Sequence, residues 1–524
     1  VKPEDSSKLP LDPALKPAWE WNTWKLYVLS FVFALCIVPS LVSYAPYSFR
    51  WDDSDYLSRS VAVSKAFWSG NAHQMRTAMV SGHPPVMTLL ALPWGPLTTW
   101  DAAGKCLITL TGLTALLVAC CMFLLLRVGL QPLYLLAAGA CVFAALGPYP
   151  AGARAHSEAT AFMVDSLFAW SAFAAVLLIP YESANPTTSS LRESLMRGAL
   201  WAAIFSVGAL TKLTFLYFIA LTVPVLLAIR VRQSGPRNAF LALASLTGCS
   251  LPAITYWLRY GREILSYGQL ASFGHTADFY FVSFPRFVSE TLRQSPGMFI
   301  SLIFTIVVGA YLVIRRADLL WGTNLLPILI LIGYCTICLA SKNREIRFLF
   351  PGIIAFPFLA AILISTKPRK YSRTTALMMA TIVLCVLVLA AIPMRHRPDR
   401  ECLSASEAVL AQAAECNARR LLLATDSSSL NLNLLELTIS ISPLRNPIET
   451  NTLSWKAALG APIEEDLRVI RESDLVVFQN KEALDSPPTN LRVREYEQYA
   501  RQQFGAPIET VKGIRFYKAD HQPE

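Results

Sequence analysis

The chain has 524 residues, of which 54% are hydrophobic and only 16% are charged, whereas about 25% charged residues is usual in soluble domains. Its formal net charge is +10, but residues 395–524 alone carry 35 of the 82 Asp, Glu, Lys and Arg side chains. This composition excludes a soluble multidomain enzyme and a nucleic-acid-binding chain with a spread basic surface. It predicts a polytopic membrane part, residues 1–394, followed by a globular domain, residues 395–524.

Apolar runs of about 20 residues, the length that a membrane-spanning helix needs, recur along residues 1–394. A long run at 198–229 is interrupted only by Lys212 and has arginines on both flanks. Basic flanks favour the cytoplasm, so we interpret this run as two short crossings with Lys212 near their turn. Nine further runs predict one span each and raise the prediction to eleven spans: 26–46, 106–126, 131–149, 160–180, 238–258, 297–314, 319–340, 348–366 and 374–394.

Basic residues in the loops predict the orientation of these spans. The N-terminal tail is lysine-rich, Arg127 follows one span, and residues 367–373 form a basic cluster between two others. Under the positive-inside rule these segments are cytoplasmic, and an odd span count puts residues 395–524 outside. Residues 1–25 lack the pattern of a cleaved signal peptide, so we expect the first span to be retained. The lack of a retention signal at the C-terminus favours the bacterial inner membrane over the endoplasmic reticulum.

The C-terminal domain has an α/β pattern. Short β-rich runs at 420–426, 474–480 and 514–520 alternate with helical stretches such as 464–473 and 491–504. Cys402 and Cys416 flank a segment that is typical of a helix, which would hold them about 21 Å apart. A disulfide between them therefore requires a shorter helix than the sequence indicates.

Three carboxylates, Asp52, Asp53 and Asp55, open the long outer loop 47–104. Like charges this close raise the pKa of at least one carboxyl group unless a cation or a metal compensates, which suits a general base. A solvated acidic loop or an ordinary helix start is the structural alternative. Later in the same loop, His83 precedes two prolines, which more often mark a turn into a helix than a ligand site.

Ionisable residues also lie inside or beside the predicted spans. Asp165 falls within an apolar run, about a turn and a half inside its span, where a carboxylate is a functional candidate by default; a buried ion pair between helices is the alternative. Lys212 either serves a site or extends to the interface. The loop 341–347 is basic although predicted outside, and an anionic ligand would explain that violation of the positive-inside rule.

One outer face thus combines carboxylates able to act as a base with cations able to hold a phosphate. A transporter would concentrate such groups near the midplane of repeated halves, and no repeated halves are evident in the sequence. The pattern favours an enzyme acting at the membrane surface.

The order of these motifs resembles that of the GT-C glycosyltransferases. Asp52-Asp53-x-x-Tyr56 is similar to their Asp-Glu/Asp-x-x-Tyr motif, and the closest branch contains the protein O-mannosyltransferases and the aminoarabinose transferase of lipid A. The resemblance extends over about residues 25–394 through four further elements: His83-Pro84-Pro85, Asp165, Leu210-Thr211-Lys212 and Arg347-Phe348-Leu349-Phe350-Pro351.

The resemblance implies a GT-C-like helical membrane protein of about 11 transmembrane helices with a C-terminal extracytoplasmic α/β domain. It implies inverting transfer of a sugar from a polyprenyl-phosphate donor to a hydroxyl of a glycan, lipid or protein. Asp52 matches the general base, and Asp165 a second acidic group that orients the acceptor or shares a metal. Lys212 and Arg347 match phosphate-binding positions. Charge alone adds Arg344 to the phosphate group, and the remaining active-site candidates are Asp53, Tyr56, His83 and His275.

The chain departs from the aminoarabinose branch at Gly82-His83, where those relatives carry Glu-Lys before Pro-Pro. This change removes one carboxylate and one ammonium group. We therefore expect neither a metal site of that type nor the same sugar. His83 and His275 are then the remaining imidazoles for a divalent ion. We therefore assign no cofactor and leave a divalent metal open.

Three other functions fit parts of the pattern. A flippase or transporter of lipid-linked sugars predicts that Asp165 and Lys212 face a continuous pathway. A polymerase or ligase that uses a diphosphate-linked donor is expected to have its main catalytic loop later in the chain. A receptor or assembly scaffold does not need the ionisable residues of the membrane part.

Overall fold

A computed structural model describes most of the helices of the chain and a small C-terminal sheet. The residues that it describes are 51–79, 84–97, 101–146, 164–185, 190–273, 282–294, 296, 306, 325–341, 344–365, 400–425, 427, 430–441, 448–453, 462–479, 492–511 and 513–519.

The part before residue 395 is helical wherever it has regular structure within the described residues. Its helices are α1 (Trp51–Trp68), α2 (Ala72–Met79), α3 (Asp101–Arg127), α4 (Pro132–Leu146), α5 (Val164–Ala184), α6 (Leu191–Thr211), α7 (Phe215–Ser234), α8 (Pro236–Cys249), α9 (Leu251–Phe273), α10 (Phe284–Gln294), α11 (Leu325–Ala340) and α12 (Phe350–Ser365). Short 3₁₀ turns occur at Met87–Leu89, Leu92–Trp94 and Ile346–Leu349.

Within the described residues, five helical segments are long and apolar enough to cross a membrane, and the pair α8–α9 makes a sixth if it is one span. The five are Ile108–Arg127, Val164–Ala184, Leu191–Thr211, Phe215–Ser234 and Ile346–Leu363. The predicted runs 26–46 and 374–394 lie outside the described residues, as does all but one residue of 297–314. The count of eleven spans therefore stays a prediction.

The run 198–229 forms two helices, as the sequence predicted, with Lys212 in the turn between α6 and α7. The prediction that both crossings are short is wrong, because the helices have 21 and 20 residues. Each extends beyond the apolar run, to Leu191 at one end and Ser234 at the other. Ser190 caps the start of α6 by accepting a hydrogen bond from the Glu193 backbone N–H (3.3 Å).

The run 238–258, predicted as one span, is broken between α8 and α9, whose axes differ by 61°. Pro252 stands in the first turn of α9 and has no backbone N–H to continue the helical ladder from α8. Ser250 lies at the break and closes α8 with a hydrogen bond to the Leu246 carbonyl (3.0 Å). The bend is therefore a consequence of local backbone chemistry.

Helix α5 lies at the centre of the membrane part, and almost all of its length is buried. It packs against α3, α6, α7 and α12. Its buried alanines, such as Ala172 and Ala174, allow these neighbours to approach, while Phe168 and Phe173 fill the spaces between them. Because lipid does not drive helices together as water does, close packing of small and aromatic side chains stabilises such a centre.

Helices α6 and α8 approach so closely that only glycine fits at one contact. A Cβ atom on Gly198 would lie 2.2 Å from the carbonyl oxygen of Ala242. The contact fixes the end of α6 opposite to Lys212.

Residues 400–519 form an α/β unit, which confirms the class predicted for the C-terminal region. Its elements are α13 (Arg400–Glu415), β1 (Arg420–Leu423), α14 (Leu432–Ile441), β2 (Glu449–Thr452), α15 (Ile463–Arg471), β3 (Leu475–Phe478), α16 (Val493–Phe504), β4 (Glu509–Val511) and β5 (Ile514–Lys518). The strand order is β2-β1-β3-β5-β4. β1 is parallel to β2 and β3, and β5 is antiparallel to β3 and β4.

Helices cover both faces of this sheet. Alternate residues of the central strands, Leu421 and Leu475 for example, face a core shared with α13 and α14. Their neighbours Leu422 and Val476 face α15 and α16, as the period of two in a strand requires. Helix α13 is as long as predicted and Cys416, just after it, carries a free thiol.

Helix α14 joins the C-terminal unit to the membrane part. Leu435 belongs to the core under the sheet, whereas Leu434 and Leu437 are fully buried in the core that contains Tyr56 and Leu57 of α1. A helix from the C-terminal region therefore packs on the helix that carries Asp52.

Candidate functional site

Three ionisable side chains from distant parts of the chain meet at one end of the helix bundle. Asp165 lies in the first described turn of α5, and Lys212 in the turn between α6 and α7. Arg347 lies in the 3₁₀ turn that leads into α12. All three are sequence-predicted site residues, and the structure brings them together.

Asp165 is the common partner of the two cations. Lys212 Nζ donates to Asp165 Oδ1, and Arg347 Nη1 lies 3.8 Å from Asp165 Oδ2. Arg347 also forms an ion pair through Nε with Glu345. The Asp165 side chain is only 2% exposed, whereas Lys212 and Arg347 are 18% and 15% exposed. The carboxylate is thus a fixed anchor, and the cations retain access to solvent.

Two aromatic rings support the cations. The ring of Phe348 lies 4.6 Å from Lys212 Nζ and 5.5 Å from Arg347 Cζ, measured to its centroid. The Phe168 centroid is 5.4 Å from Lys212 Nζ. The faces of aromatic rings attract cations, so the two rings restrict where the ammonium group can point.

The backbone of the α6–α7 turn explains the position of Lys212. Lys212 is extended (φ −151°, ψ 138°), and its N–H caps α6 by bonding to the Gly208 carbonyl (3.2 Å). A Cβ atom on Gly208 would lie 2.2 Å from the ring of Phe215. Glycine at 208 therefore allows α7 to start directly over the last turn of α6, which directs Lys212 toward α5.

The first loop is connected to this site by hydrogen bonds. The Val86 N–H donates to the Leu210 carbonyl (3.0 Å), so the segment after Pro84-Pro85 lies against the last turn of α6. The same segment is held to α1, since the Ala91 N–H donates to Ser60 Oγ (2.8 Å) and Ser64 Oγ donates to the Gly95 carbonyl (2.6 Å).

Among the loop candidates, the structure describes the side chain of Tyr56. Asp52 and Asp53 lie in the first described turn of α1, but their side chains lie outside the described part of the chain, as do His83 and His275. Tyr56 is buried, 4% exposed, in the core beside Leu57. The roles assigned to these residues therefore stay predictions.

Arg344 has a different setting from that of Lys212 and Arg347. Its Nε donates to the Leu339 carbonyl (2.7 Å) and its Nη1 to the Val282 carbonyl (2.6 Å). These bonds tie the end of α11 to the segment that begins α10. Its predicted role in phosphate binding stays a prediction.

Sequence reasoning did not single out Glu345 or Phe348. Glu345 stands in the loop 341–347, whose net charge is positive. Its single carboxylate therefore does not stand out in the sequence, although it faces Arg347. Phe348 directly follows the candidate cation Arg347 in the sequence, and an aromatic residue in that place is the signal that indicates its contact with the cations. No sequence signal indicated that α14 docks on α1.

These groups are able to bind an anion and to hold it in a defined place. Charge-assisted hydrogen bonds from an ammonium and a guanidinium group suit a phosphate. Among the described residues, no three His, Cys, Asp or Glu side chains gather as a metal site.

No protein-family model matches the chain, and a search of the curated proteins finds no significant match.

Proposed function

We propose that this chain is a membrane glycosyltransferase that moves a sugar from a polyprenyl-phosphate donor to an acceptor hydroxyl, with inversion, at the outer face of a bacterial inner membrane. One observation carries the proposal: Lys212 and Arg347 converge on Asp165 at one end of the helix bundle. The segment that follows Pro84-Pro85 lies beside them through the Val86–Leu210 hydrogen bond.

The two cations suit the leaving group of this reaction. A donor phosphodiester carries one negative charge, and its charge grows as the bond to the sugar breaks. Cations held in place before the reaction stabilise such growing charge without further reorganisation. Lys212 and Arg347 are held by Asp165 and by the ring of Phe348, so they have this property.

In the proposed reaction, Asp52 accepts the proton of the acceptor hydroxyl. The acceptor oxygen then forms a bond to the anomeric carbon as the bond from that carbon to the phosphate oxygen breaks, and that oxygen keeps the electron pair. A single displacement inverts the anomeric centre and needs one base. Asp165 positions the two cations, and the acceptor is a glycan, a lipid or a protein.

The test compares purified wild type with Asp52→Asn in nanodiscs, using radiolabelled polyprenyl-phosphate sugars and crude envelope acceptor. Loss of a general base lowers the rate by about 10²- to 10⁴-fold, and donor binding is expected to persist. Asp55→Asn is the matched control, since Asp55 lies on the same helix but pairs with Arg59 (2.7 Å). It is expected to retain most of the transfer activity.

Other outcomes contradict the proposal in different ways. Donor binding by wild type and by Asp52→Asn without transfer to any acceptor would favour the flippase. Equal transfer by Asp52→Asn and wild type would remove Asp52 as the base. Absence of donor binding by the wild type would reject the substrate class.

A further inference from the structure

The ionisable side chains that the structure describes in ion pairs around Asp165 already balance in charge before any ligand enters. Lys212 and Arg347 bring two positive charges, and Asp165 and Glu345 bring two negative charges within ion-pair distance of them. A phosphate that binds to Lys212 and Arg347 without displacing a carboxylate would add a negative charge next to two cations that are already paired, which is unfavourable in a partly buried site.

We propose that Glu345 is the resident counter-anion of Arg347, which the phosphate of the lipid donor displaces on binding, and that Glu345 thereby sets the affinity of the site for polyprenyl phosphates. This inference rests on the proposed function. It adds a positioning residue that acts through Arg347.

Burial distinguishes the two carboxylates that contact Arg347. Asp165 is 2% exposed and stands between Lys212 and Arg347, so moving it would leave a buried charge without its partners. Glu345 is 31% exposed, and its side chain reaches water when it leaves the arginine. A lipid phosphate therefore replaces Glu345 at a lower cost than Asp165.

The backbone around Glu345 is held on both sides. Arg344, before it, bonds to the carbonyls of Leu339 and Val282. Ile346, after it, is 4% exposed in the hydrophobic core. Glu345 itself is extended (φ −119°, ψ 145°) and immediately precedes the 3₁₀ turn. The exchange consequently needs a rotation of one side chain and no movement of the loop.

The same exchange works in reverse after transfer. The product polyprenyl phosphate is a monoester, which carries about −1.5 to −2 charges at pH 7, and it therefore holds the two cations more strongly than the donor does. Glu345 competes for Arg347 and so weakens the hold on the product. Removal of its charge is expected to strengthen product inhibition.

The experiment measures binding of a short-chain polyprenyl phosphate and of the matching uncharged polyprenol to the full chain in nanodiscs. Glu345→Gln is expected to bind the phosphate about three- to tenfold more tightly than wild type, as loss of one partly exposed competing charge implies. Binding of the polyprenol is expected to stay unchanged. In turnover assays the variant is expected to show a lower KM for the donor and stronger inhibition by the polyprenyl phosphate product.

Glu290→Gln is the matched control. Glu290 also pairs with an arginine, Arg286 (2.8 Å), its side chain is 32% exposed, and both residues of this pair lie on α10. It is expected to bind the phosphate as wild type does. Should Glu345→Gln fold poorly, as judged by its melting temperature, Glu345→Ala removes the same charge.

The outcomes separate this inference from the proposed function. Wild type that prefers the phosphate to the polyprenol, together with unchanged or weaker binding by both Glu345 variants, would overturn the role of Glu345 and leave the glycosyltransferase proposal standing. Wild type and variants that do not distinguish the phosphate from the polyprenol would reject the substrate class, and the inference with it.

Discussion

Helix α5 carries a carboxylate near each end, and basic residues of α6 and of the turn that follows it pair with them. At one end Asp165 meets Lys212, with Arg347 at 3.8 Å. At the other end Glu182 meets Arg197 (3.3 Å) and Arg230 (3.9 Å). At each end one buried acid lies between two cations, but the surroundings of the two clusters differ.

The Glu182 cluster is closed. The side chains of Glu182 and Arg230 are both 0% exposed, and Trp201 Nε1 donates to Glu182 Oε1 (3.0 Å). Arg197 stacks on Tyr181, 4.6 Å from the ring centroid. Arg230 donates to Ser194 (3.1 Å). Glu182 and Arg230 are enclosed by side chains of α5, α6 and α7, and Arg197 is 11% exposed, so the shared carboxylate itself offers no exposed surface to a ligand.

The difference between the ends indicates which cluster is structural and which is available to a ligand. An enclosed ion pair stabilises the fold because removing one partner leaves a buried charge unpaired. The partly exposed cations at Asp165 have, in addition, an exchangeable partner, Glu345. A charged residue inside a membrane helix is a functional candidate by default. The comparison of the two ends refines that rule, because the exposure of the cations to solvent distinguishes the cluster at Asp165 from the cluster at Glu182.

The largest effect on stability is expected at the closed end. Glu182→Gln keeps an oxygen for the Trp201 N–H but leaves Arg197 and Arg230 without their shared carboxylate. Removing one partner of a buried pair costs about 3–5 kcal/mol. Thermal unfolding in detergent measures it, with donor binding per folded molecule expected to be unchanged.

Glu193→Gln is the control for this prediction, since Glu193 pairs with the same Arg197 (3.3 Å) but is 30% exposed. Its expected cost is below about 1 kcal/mol. Equal melting temperatures for the two variants would mean that the closed cluster does not stabilise the bundle.

At the open end, a substitution is expected to affect ligand binding more than it affects stability. Lys212→Met removes one charge-assisted contact, which corresponds to about a 10- to 100-fold loss in affinity for a lipid phosphate. The double variant Asp165→Asn/Lys212→Met removes the buried carboxylate together with its partner. Its melting temperature is therefore expected to lie closer to that of wild type than the melting temperature of Lys212→Met does. Binding of a short-chain polyprenyl phosphate is expected to remain weak.

Recovery of binding in the double variant would contradict this assignment, because it would mean that Lys212 only neutralises Asp165. A melting temperature for Lys212→Met as low as that of Glu182→Gln would make the open cluster structural as well.

Sequence reasoning found the parts of the open site but not their arrangement. Asp165, Lys212 and Arg347 were each recognisable as ionisable residues in or beside apolar runs. Their convergence depends on packing between helices that are distant in the chain, such as the contact of Phe215 over Gly208, which no local pattern encodes. The closed cluster passed unnoticed because its residues lie at helix ends, where charges are ordinary.

In the C-terminal unit, too, the sequence predicted some elements and missed others. The strands β1, β3 and β5 were predicted because each is a continuous or alternating apolar run. The sequence did not reveal β2, since its residues Glu449–Thr452 are polar and it lies at an edge of the sheet. Helix α14 escaped prediction because Leu434 and Leu435 serve two different cores, so its apolar residues do not follow one helical face.

A third carboxylate extends the comparison beyond the membrane part. Glu497 on α16 accepts hydrogen bonds from Arg515 (2.6 and 3.1 Å) and from Tyr517 (2.9 Å), and its side chain is 17% exposed. Burial by itself would raise the pKa of Glu497, but the hydrogen bonds and the charge of Arg515 outweigh it and lower that pKa below 4.5. The carboxylate of Glu497 is thus more exposed than that of Asp165 or Glu182.

The sign of this shift predicts a pH dependence that is smaller than the two effects above. A carboxyl group with a lowered pKa in the folded state stabilises the fold above its unfolded pKa, and this contribution is lost as the pH falls through the lowered value. Glu497→Gln is therefore expected to lower the melting temperature near neutral pH and to flatten its decline in acid. Glu495→Gln, on the exposed side of the same helix, is the control. A decline in acid that is as steep in Glu497→Gln as in wild type would show that the Arg515 pair does not contribute to stability, since a half-enclosed pair must lose its contribution when its carboxylate is protonated.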